Sequence, residues 1–293
     1  MRFNIVSNLA NGVGLQRNYE LLKQALEARG HSVQGVQFNA HPLLAPSADV
    51  NIFDEVVAPE AFRAAPKNWV MPHPEWWFAG WDGYKWDLVL AKTHDCERIF
   101  RAKVGDKCQY LGWIAKDLYR EGIPKERRFL HVAGKSRFKN THAVIQGCQL
   151  ARVPLTVIGE HVVPARRVSE QQLIHLMNSH FCHVMPSAYE GYGHVLHESQ
   201  STGQVLITTD APPMNEIVPS YRIPSTGTKP HHAAPLHQVS SVDVANAVKN
   251  VAALSEFEVE MLAVAARDQY EEDQKAFYVA LDGLVGRHGL NFH

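Results

Sequence analysis

Two glutamates, Glu190 and Glu198, stand eight residues apart in the stretch YEGYGHVLHE, with Gly191, Tyr192 and Gly193 following the first. A carboxylate accepts paired hydrogen bonds from vicinal hydroxyls such as those of a ribose or pyranose ring. The glycines open backbone dihedrals closed to other residues and let a ligand approach the main chain. A helix starting near His194 would aim its unpaired N–H groups and partial positive charge at the same place, which favours an anion. A diphosphate at the helix end, with a carboxylate on either side, suits a sugar nucleotide. By spacing alone, a solvated loop entering a surface helix remains the simpler account.

The elements around this stretch alternate between strand and helix. RFNIV (2–6) predicts a strand, followed by the glycine-containing loop SNLANGVG and a helix in which Leu15, Tyr19, Leu22 and Leu26 recur at helical spacing, with Gly30 at its C-terminal cap. Segments 32–38, 50–54, 68–72 and 87–92 predict further strands. The pattern restarts at 128–134 (strand), 140–151 (helix), 155–160 (strand) and 169–179 (helix), the last opened by Ser169 and Gln172 at capping-box positions. Strand, helix and strand then follow across FCHVMPS, HVLHESQSTG and QVLITTD. This order implies an α/β chain of two successive Rossmann-like, doubly wound domains with a polar linker near 112–127. Ligands of such sheets bind beyond the carboxyl ends of the strands, where the crossover direction changes. The tail reads as helical: Ser255 and Glu258 form another capping box, and Phe277, Leu281 and Leu284 share a face.

Composition narrows the class. At 293 residues the chain is long enough for two cores. Twenty-nine basic against thirty acidic residues leave a net charge of -1, which gives no global signature of nucleic-acid binding. Cys96, Cys108, Cys148 and Cys182 are scattered without a Cys-x-x-Cys pair, so reduced thiols in a cytoplasm are expected. The N-terminus lacks the shape of a signal peptide, and no apolar run approaches the ~20 residues that span a bilayer.

The stretch PSAYEGYGHVLHESQSTGQVLITTDAPPMNEIV resembles the donor-binding core of retaining GT-B glycosyltransferases of family 4, the glycosyl transferases group 1. The likeness rests on Glu190-x7-Glu198, the glycine–aromatic–glycine after the first glutamate, the strand Gly203–Ile207 and the later Glu216-Ile217-Val218. Upstream, HVAGKSRFKNTHAVIQG resembles the family's strand and loop with two basic residues, here Lys135 and Lys139, and LTVIGE resembles its next strand, ending at Gly159. The similarity runs through most of residues 128–220. It implies that Glu190 contacts sugar hydroxyls, that the backbone at Tyr192, Gly193 and His194 meets the sugar and β-phosphate, and that Glu198 binds the ribose diol. Lys135 and Lys139 would stabilise the departing diphosphate electrostatically. The sequence departs from the family in carrying lysine instead of arginine at 135, in a shorter loop to Lys139, and in Asn140 where glycine is frequent.

The N-terminal half matches less closely. Gly12 and Gly14 follow the first strand, as a glycine-rich loop does in this family near the phosphates, and a plain tight turn explains them about as well. The family's histidine near the reacting sugar carbon corresponds to His73 in NWVMPHPEWW, with His94 in AKTHD as the competing counterpart. The family's hinge motif is absent, its place taken by YLGWIAKDLY. Trp69, Trp76, Trp77, Trp81 and Trp86 fall within eighteen residues. About half are expected in the core; in the loop PHPEWWFAGWDGYKW, Trp76, Trp77 and Trp81 are assigned to stack on the acceptor. HHAAPLH (231–237) has no carboxylate or cysteine partner at ligand spacing and reads as a polar loop. The basic runs PKERR and ARR read as solvated surface.

The expectation is therefore a GT-B glycosyltransferase of two Rossmann-like domains facing a central cleft. An acceptor domain spans 1–116, a donor domain 126–270, and a final helix at 271–293 packs back on the first. Catalytic roles fall on Glu190, His73, Lys135 and Lys139. The donor site comprises Gly12, Gly14, Lys135, Lys139, Gly159, Glu190, Gly191, Tyr192, Gly193, His194 and Glu198. No metal or other cofactor is expected, the nucleoside diphosphate sugar being a substrate. The acceptor is an unidentified hydroxyl compound, and a hydroxylated base in DNA is a less favoured acceptor. A non-catalytic sugar-nucleotide-binding protein or a sugar-nucleotide epimerase would carry the same donor motif. The location expected is cytoplasmic, without a transmembrane segment.

Overall fold

The computed structural model describes residues 1–289 except 11, 13, 161, 163, 164 and 166. The chain divides into two compact units, one of Met1–Ile114 together with the chain from Lys275 onward, the other of Ala115–Gln274.

In the first unit, β1 (Arg2–Ser7), β2 (Ser32–Gln37), β3 (Val50–Asp54), β4 (Lys67–Met71), β5 (Leu88–Ala91) and β6 (Cys108–Tyr110) form one sheet in the order β2-β1-β3-β4-β5-β6, with every pairing parallel. β3 and β5 are buried along their whole lengths. That burial on both faces explains why their sequences read as apolar runs with little alternation. Helix α1 (Gly14–Glu27) buries Leu15, Leu22, Ala25 and Leu26, and Gly30 behind it takes a φ of +76°, so that the His31 N–H returns to the Leu26 carbonyl. Helix α2 (His94–Val104) is capped by Thr93, whose side chain accepts from the Cys96 N–H. Because β2 and β3 lie on opposite sides of β1, the crossover direction reverses between β1 and β3.

The second unit repeats this topology with β7 (Glu126–Gly134), β8 (Leu155–Gly159), β9 (His180–Met185), β10 (Val205–Asp210) and β11 (Tyr221–Pro224), ordered β11-β10-β9-β7-β8 and all parallel. Its switch point lies between β7 and β9. Helix α3 (Thr141–Ala151) packs tightly on α6 (Ser241–Ala252): a Cβ built on Gly147 would lie 2.5 Å from Val244 Cγ1. Helix α4 (Glu170–Ser179) carries the full Ser169–Gln172 capping box, and α5 (His194–Ser201) follows the glycine turn. β12 (Gly227–Lys229) and β13 (Leu236–Gln238) form a small antiparallel hairpin. Val144, Val184, Ile207, Val244 and Val248 centre the core.

The last helix, α7 (Glu256–Gly289), is opened by the Ser255–Glu258 box and runs unbroken through residue 271, where the sequence suggested a separate element. Phe277, Leu281 and Leu284 are buried in the first unit, Phe277 edge-on to Trp113. All four cysteines are free and buried. Burial lifts the Cys108 thiol to about 11 and that of Cys148 to about 12. Among the described residues, no helix is long and apolar enough to cross a membrane.

Candidate functional site

At the switch point of the second unit, the loops after β7 and β9 meet. Lys139 and Glu190 form an ion pair through Nζ and Oε1, with side chains 12% and 14% exposed. The Ser187 hydroxyl donates to the same Glu190 oxygen at 2.5 Å, and the Ser187 carbonyl accepts from Thr209 Oγ1 at 2.7 Å on β10. The Glu190 carboxylate is thus held by a cation and a hydroxyl that is itself anchored to the sheet. Gly193 caps α5 at a φ of +87°, and a Cβ placed there would lie 2.9 Å from Leu196 Cδ1 and 3.4 Å from Glu190 Cγ. This position needs glycine both for its dihedral and for the close passage of Glu190.

The other predicted donor residues cluster around the same strand ends. Lys135 is exposed on the turn after Gly134. Gly159, paired with Gly134 at the end of β8, brings that strand within 2.9 Å of Ala133 Cβ as measured from a built Cβ, and the Glu160 N–H donates to the Gly134 carbonyl. Gly191 and Tyr192 are buried, and the Tyr192 ring stacks on His197 at 4.2 Å. His194 begins α5 half-buried, and Glu198 lies in the same helix only 3% exposed.

Asn140 explains one departure noted in the sequence. Its φ of +48° is left-handed, a region asparagine tolerates better than most residues, so it supplies the backbone conformation that glycine supplies elsewhere. Its side-chain amide donates to the Pro186 carbonyl at 2.8 Å and the His237 carbonyl at 3.2 Å, which ties the Lys139 loop to the strand ends. His131, absent from the sequence-based site, lies fully buried beneath the loop. Its Nδ1 donates to the Val184 carbonyl at 2.6 Å, and Nε2 meets the Thr141 hydroxyl at 2.9 Å. Burial lowers its pKa to about 4, so the ring is neutral and serves as a spacer between β7, β9 and α3. Of residues 231–237, read as a loop, Leu236 and His237 belong to β13; His231 packs on Phe138, and His237 Nδ1 meets the Ser225 hydroxyl at 3.1 Å.

In the first unit the carboxyl ends of β3, β4 and β5 hold a second polar constellation. Lys92 Nζ lies 3.0 Å from Asp54 Oδ1 and 2.8 Å from His73 Nε2, over the face of Trp113 at 4.5 Å. Asp54 also accepts from Asn18 Nδ2 and from Ser7 Oγ, each at 3.2 Å. His73 Nδ1 lies 2.5 Å from Glu55 Oε2. Both ring nitrogens of His73 are therefore engaged inside the protein, and the ring is buried. The sequence placed His73 near the reacting sugar carbon; its ring is buried between Lys92 and Glu55. Its rival His94 opens α2 with a side chain 65% exposed, stacked on Tyr110 at 4.0 Å. Gly12, at a φ of +66°, and Gly14 stand at the start of α1, where the Gly12 N–H donates to Gln16 Oε1.

Of the acceptor tryptophans, Trp76 is 46% exposed and Trp81 half-buried. Trp77 is a correction. It is 3% exposed, donates from Nε1 to Asp82 at 2.8 Å and packs edge-on to Phe100 at 4.9 Å, so it is a core residue without a face for a ligand. Phe78, 59% exposed beside Trp81, is the exposed ring that counting tryptophans overlooked. Asp54, Glu55 and Lys92 were also missed, because each looks like an ordinary strand-end charge until the parallel register brings them together.

Comparison with known proteins agrees with this architecture. Residues 123–228 match the family described as glycosyl transferases group 1. A glycosyltransferase from Rickettsia africae ESF-5 superposes with a TM-score of 0.74 at 10% identity, covering 99% of each chain. Sucrose-phosphate synthase from Thermosynechococcus elongatus gives 0.73 at 12% identity, covering 98% of each. Anabaena Alr3699/HepE, in complex with UDP and glucose, gives 0.67 at 13% identity, covering 97% of this chain and 99% of its own. No curated protein matches the sequence. The fold shared with these structures is GT-B.

Proposed function

We propose that this chain, which carries a group 1 glycosyltransferase domain on a GT-B fold, transfers a sugar with retention of configuration from a nucleoside diphosphate donor to a hydroxyl acceptor. The domain match and the GT-B relatives support a nucleotide-sugar-dependent glycosyltransferase. The observation that carries the finer reading is the Ser187–Glu190–Lys139 arrangement beside the α5 N-terminus, at the switch point where such sheets bind nucleotides. The solved relative that holds UDP and glucose supports the same donor class.

The chemistry follows from the charges. An arriving diphosphate competes with the Glu190 carboxylate for Lys139, and Lys135 on the adjoining turn adds a second cation. As the sugar–phosphate bond lengthens, negative charge grows on the leaving oxygen, and fixed cations with a helix N-terminus stabilise it without reorganisation. Glu190, relieved of its lysine and still held by Ser187, is placed to accept hydrogen bonds from sugar hydroxyls. Glu198 takes the ribose diol. In this front-face scheme the departing phosphate oxygen receives the acceptor proton, so no protein nucleophile is required.

The test is a thermal-shift panel of UDP, GDP, ADP and their glucose conjugates on wild type, Lys139→Ala and Glu198→Gln. A ligand at ~100 times its Kd stabilises by about 2.7 kcal/mol, a readily measured shift. A response to one nucleotide that both variants lose supports the reading. A well-folded wild type that responds to none of them removes it.

A further inference from the structure

The carboxyl end of the first unit's sheet carries a buried chain of polar side chains running from Asp54 through Lys92 and His73 to Glu55. Lysine ammonium only donates, so His73 Nε2 must accept from Lys92, and Nδ1 on the ring's other side lies 2.5 Å from Glu55 Oε2. Lys92 is held in turn by Asp54, which Asn18 and Ser7 fix from the other side. One Glu55 oxygen is therefore immobilised at the end of a buried relay. Its second oxygen, Oε1, has no protein partner among the described residues, and the side chain is 17% exposed.

Glu55 also occupies an unfavourable backbone conformation. At a φ of +66° it is left-handed, although it is neither glycine nor asparagine, and its N–H is pinned to the Met71 carbonyl at 3.0 Å. Such outliers persist where surrounding structure over-determines them, and they concentrate at ligand sites. Here the backbone turns out of β3 at the one residue whose side chain reaches His73 and keeps an open carboxylate oxygen.

Charge selects what that oxygen can bind. Asp54 and Lys92 cancel, His73 is a neutral spacer, and Glu55 leaves the constellation with one net negative charge. The only ammonium of the constellation, Lys92, is 2% exposed and out of reach of a ligand. Resting on the glycosyltransferase reading, we infer that Glu55 Oε1 accepts a hydrogen bond from an acceptor hydroxyl, and that the acceptor is an uncharged polyol or sugar in preference to a phosphorylated one. The N-terminus of α1 is the opposing influence at this edge, and matched acceptor pairs decide which governs.

The experiment measures transfer from the nucleotide sugar identified by thermal shift to hexoses and glycerol, each compared with its phosphate ester. Wild type is expected to favour the neutral member of each pair by at least about tenfold. Glu55→Gln, which keeps the shape and the contact to His73 Nδ1, is expected to lower kcat/KM for the neutral acceptors by roughly 10- to 100-fold, the worth of one charge-assisted hydrogen bond. Its nucleotide-induced melting shift is expected to match wild type, which also shows that the variant is folded. Preference for the esters, wild-type transfer by Glu55→Gln, or a nucleotide-binding wild type that uses no neutral acceptor each overturns the inference. Absence of any nucleotide response removes the glycosyltransferase reading instead.

Discussion

Replacing Lys92 by methionine keeps most of the side-chain volume and removes only the charge and its donors. Lys92 and Asp54 have side chains 0% exposed, so Asp54 has no water to turn to. It would keep two neutral donors at 3.2 Å, Asn18 and Ser7, and lose its ammonium at 3.0 Å. Removing one partner of a buried pair leaves an uncompensated charge and costs about 3–5 kcal/mol. With a urea slope of about 2 kcal/mol per M, the midpoint should fall by about 2 M. All six tryptophans lie in the first unit, so their fluorescence reports the unfolding of that unit alone. The double variant Lys92→Met/Asp54→Asn should recover much of the loss, giving a coupling energy above ~2 kcal/mol in a double-mutant cycle. A loss below ~1 kcal/mol for Lys92→Met, or additive single effects, would falsify the view of this pair as a buried charge centre.

Trp77→Ala should cost about 3–5 kcal/mol by leaving a cavity against Phe100, whereas Trp76→Ala, at an exposed site, should stay within ~0.5 kcal/mol and lower acceptor use instead; urea midpoints and acceptor KM values separate the two. His131, His183 and His197 in the second unit have pKa values lowered by burial to about 4, 3 and 4 from an ordinary 6.5. Below pH 6.5 the unfolded chain binds protons that the folded one refuses, so their contribution to stability is full above that pH. It is lost as the pH falls towards 4, on the order of 3 kcal/mol per group. Far-ultraviolet circular dichroism during urea unfolding at pH 7, 6 and 5 checks this, since the tryptophans do not report on that unit; an unchanged second-unit midpoint across the series would contradict it.

The local chemistry of this protein is written in its sequence because it depends on neighbours along the chain. The capping boxes at Ser169 and Ser255 need only residues three apart, and the apolar runs of β3, β5 and β9 follow from burial on both faces. The glycine turn before α5, with Glu190 on one side and Glu198 in the helix, is legible for the same reason. The packing of α6 on α3 is not, because Gly147 and Val244 meet only once the two helices lie together. Nor does the sequence separate Trp77 from Trp76, one buried and one exposed although adjacent, since the turn from Pro74 to Trp76 decides which ring faces Phe100. The pairing of Lys139 with Glu190 spans 51 residues, and the chain from Asp54 and Glu55 through His73 to Lys92 spans 38. Contacts at such separations exist only once parallel strands set their ends side by side, so the sequence determined which groups were available and the tertiary register decided which of them share a proton or a charge.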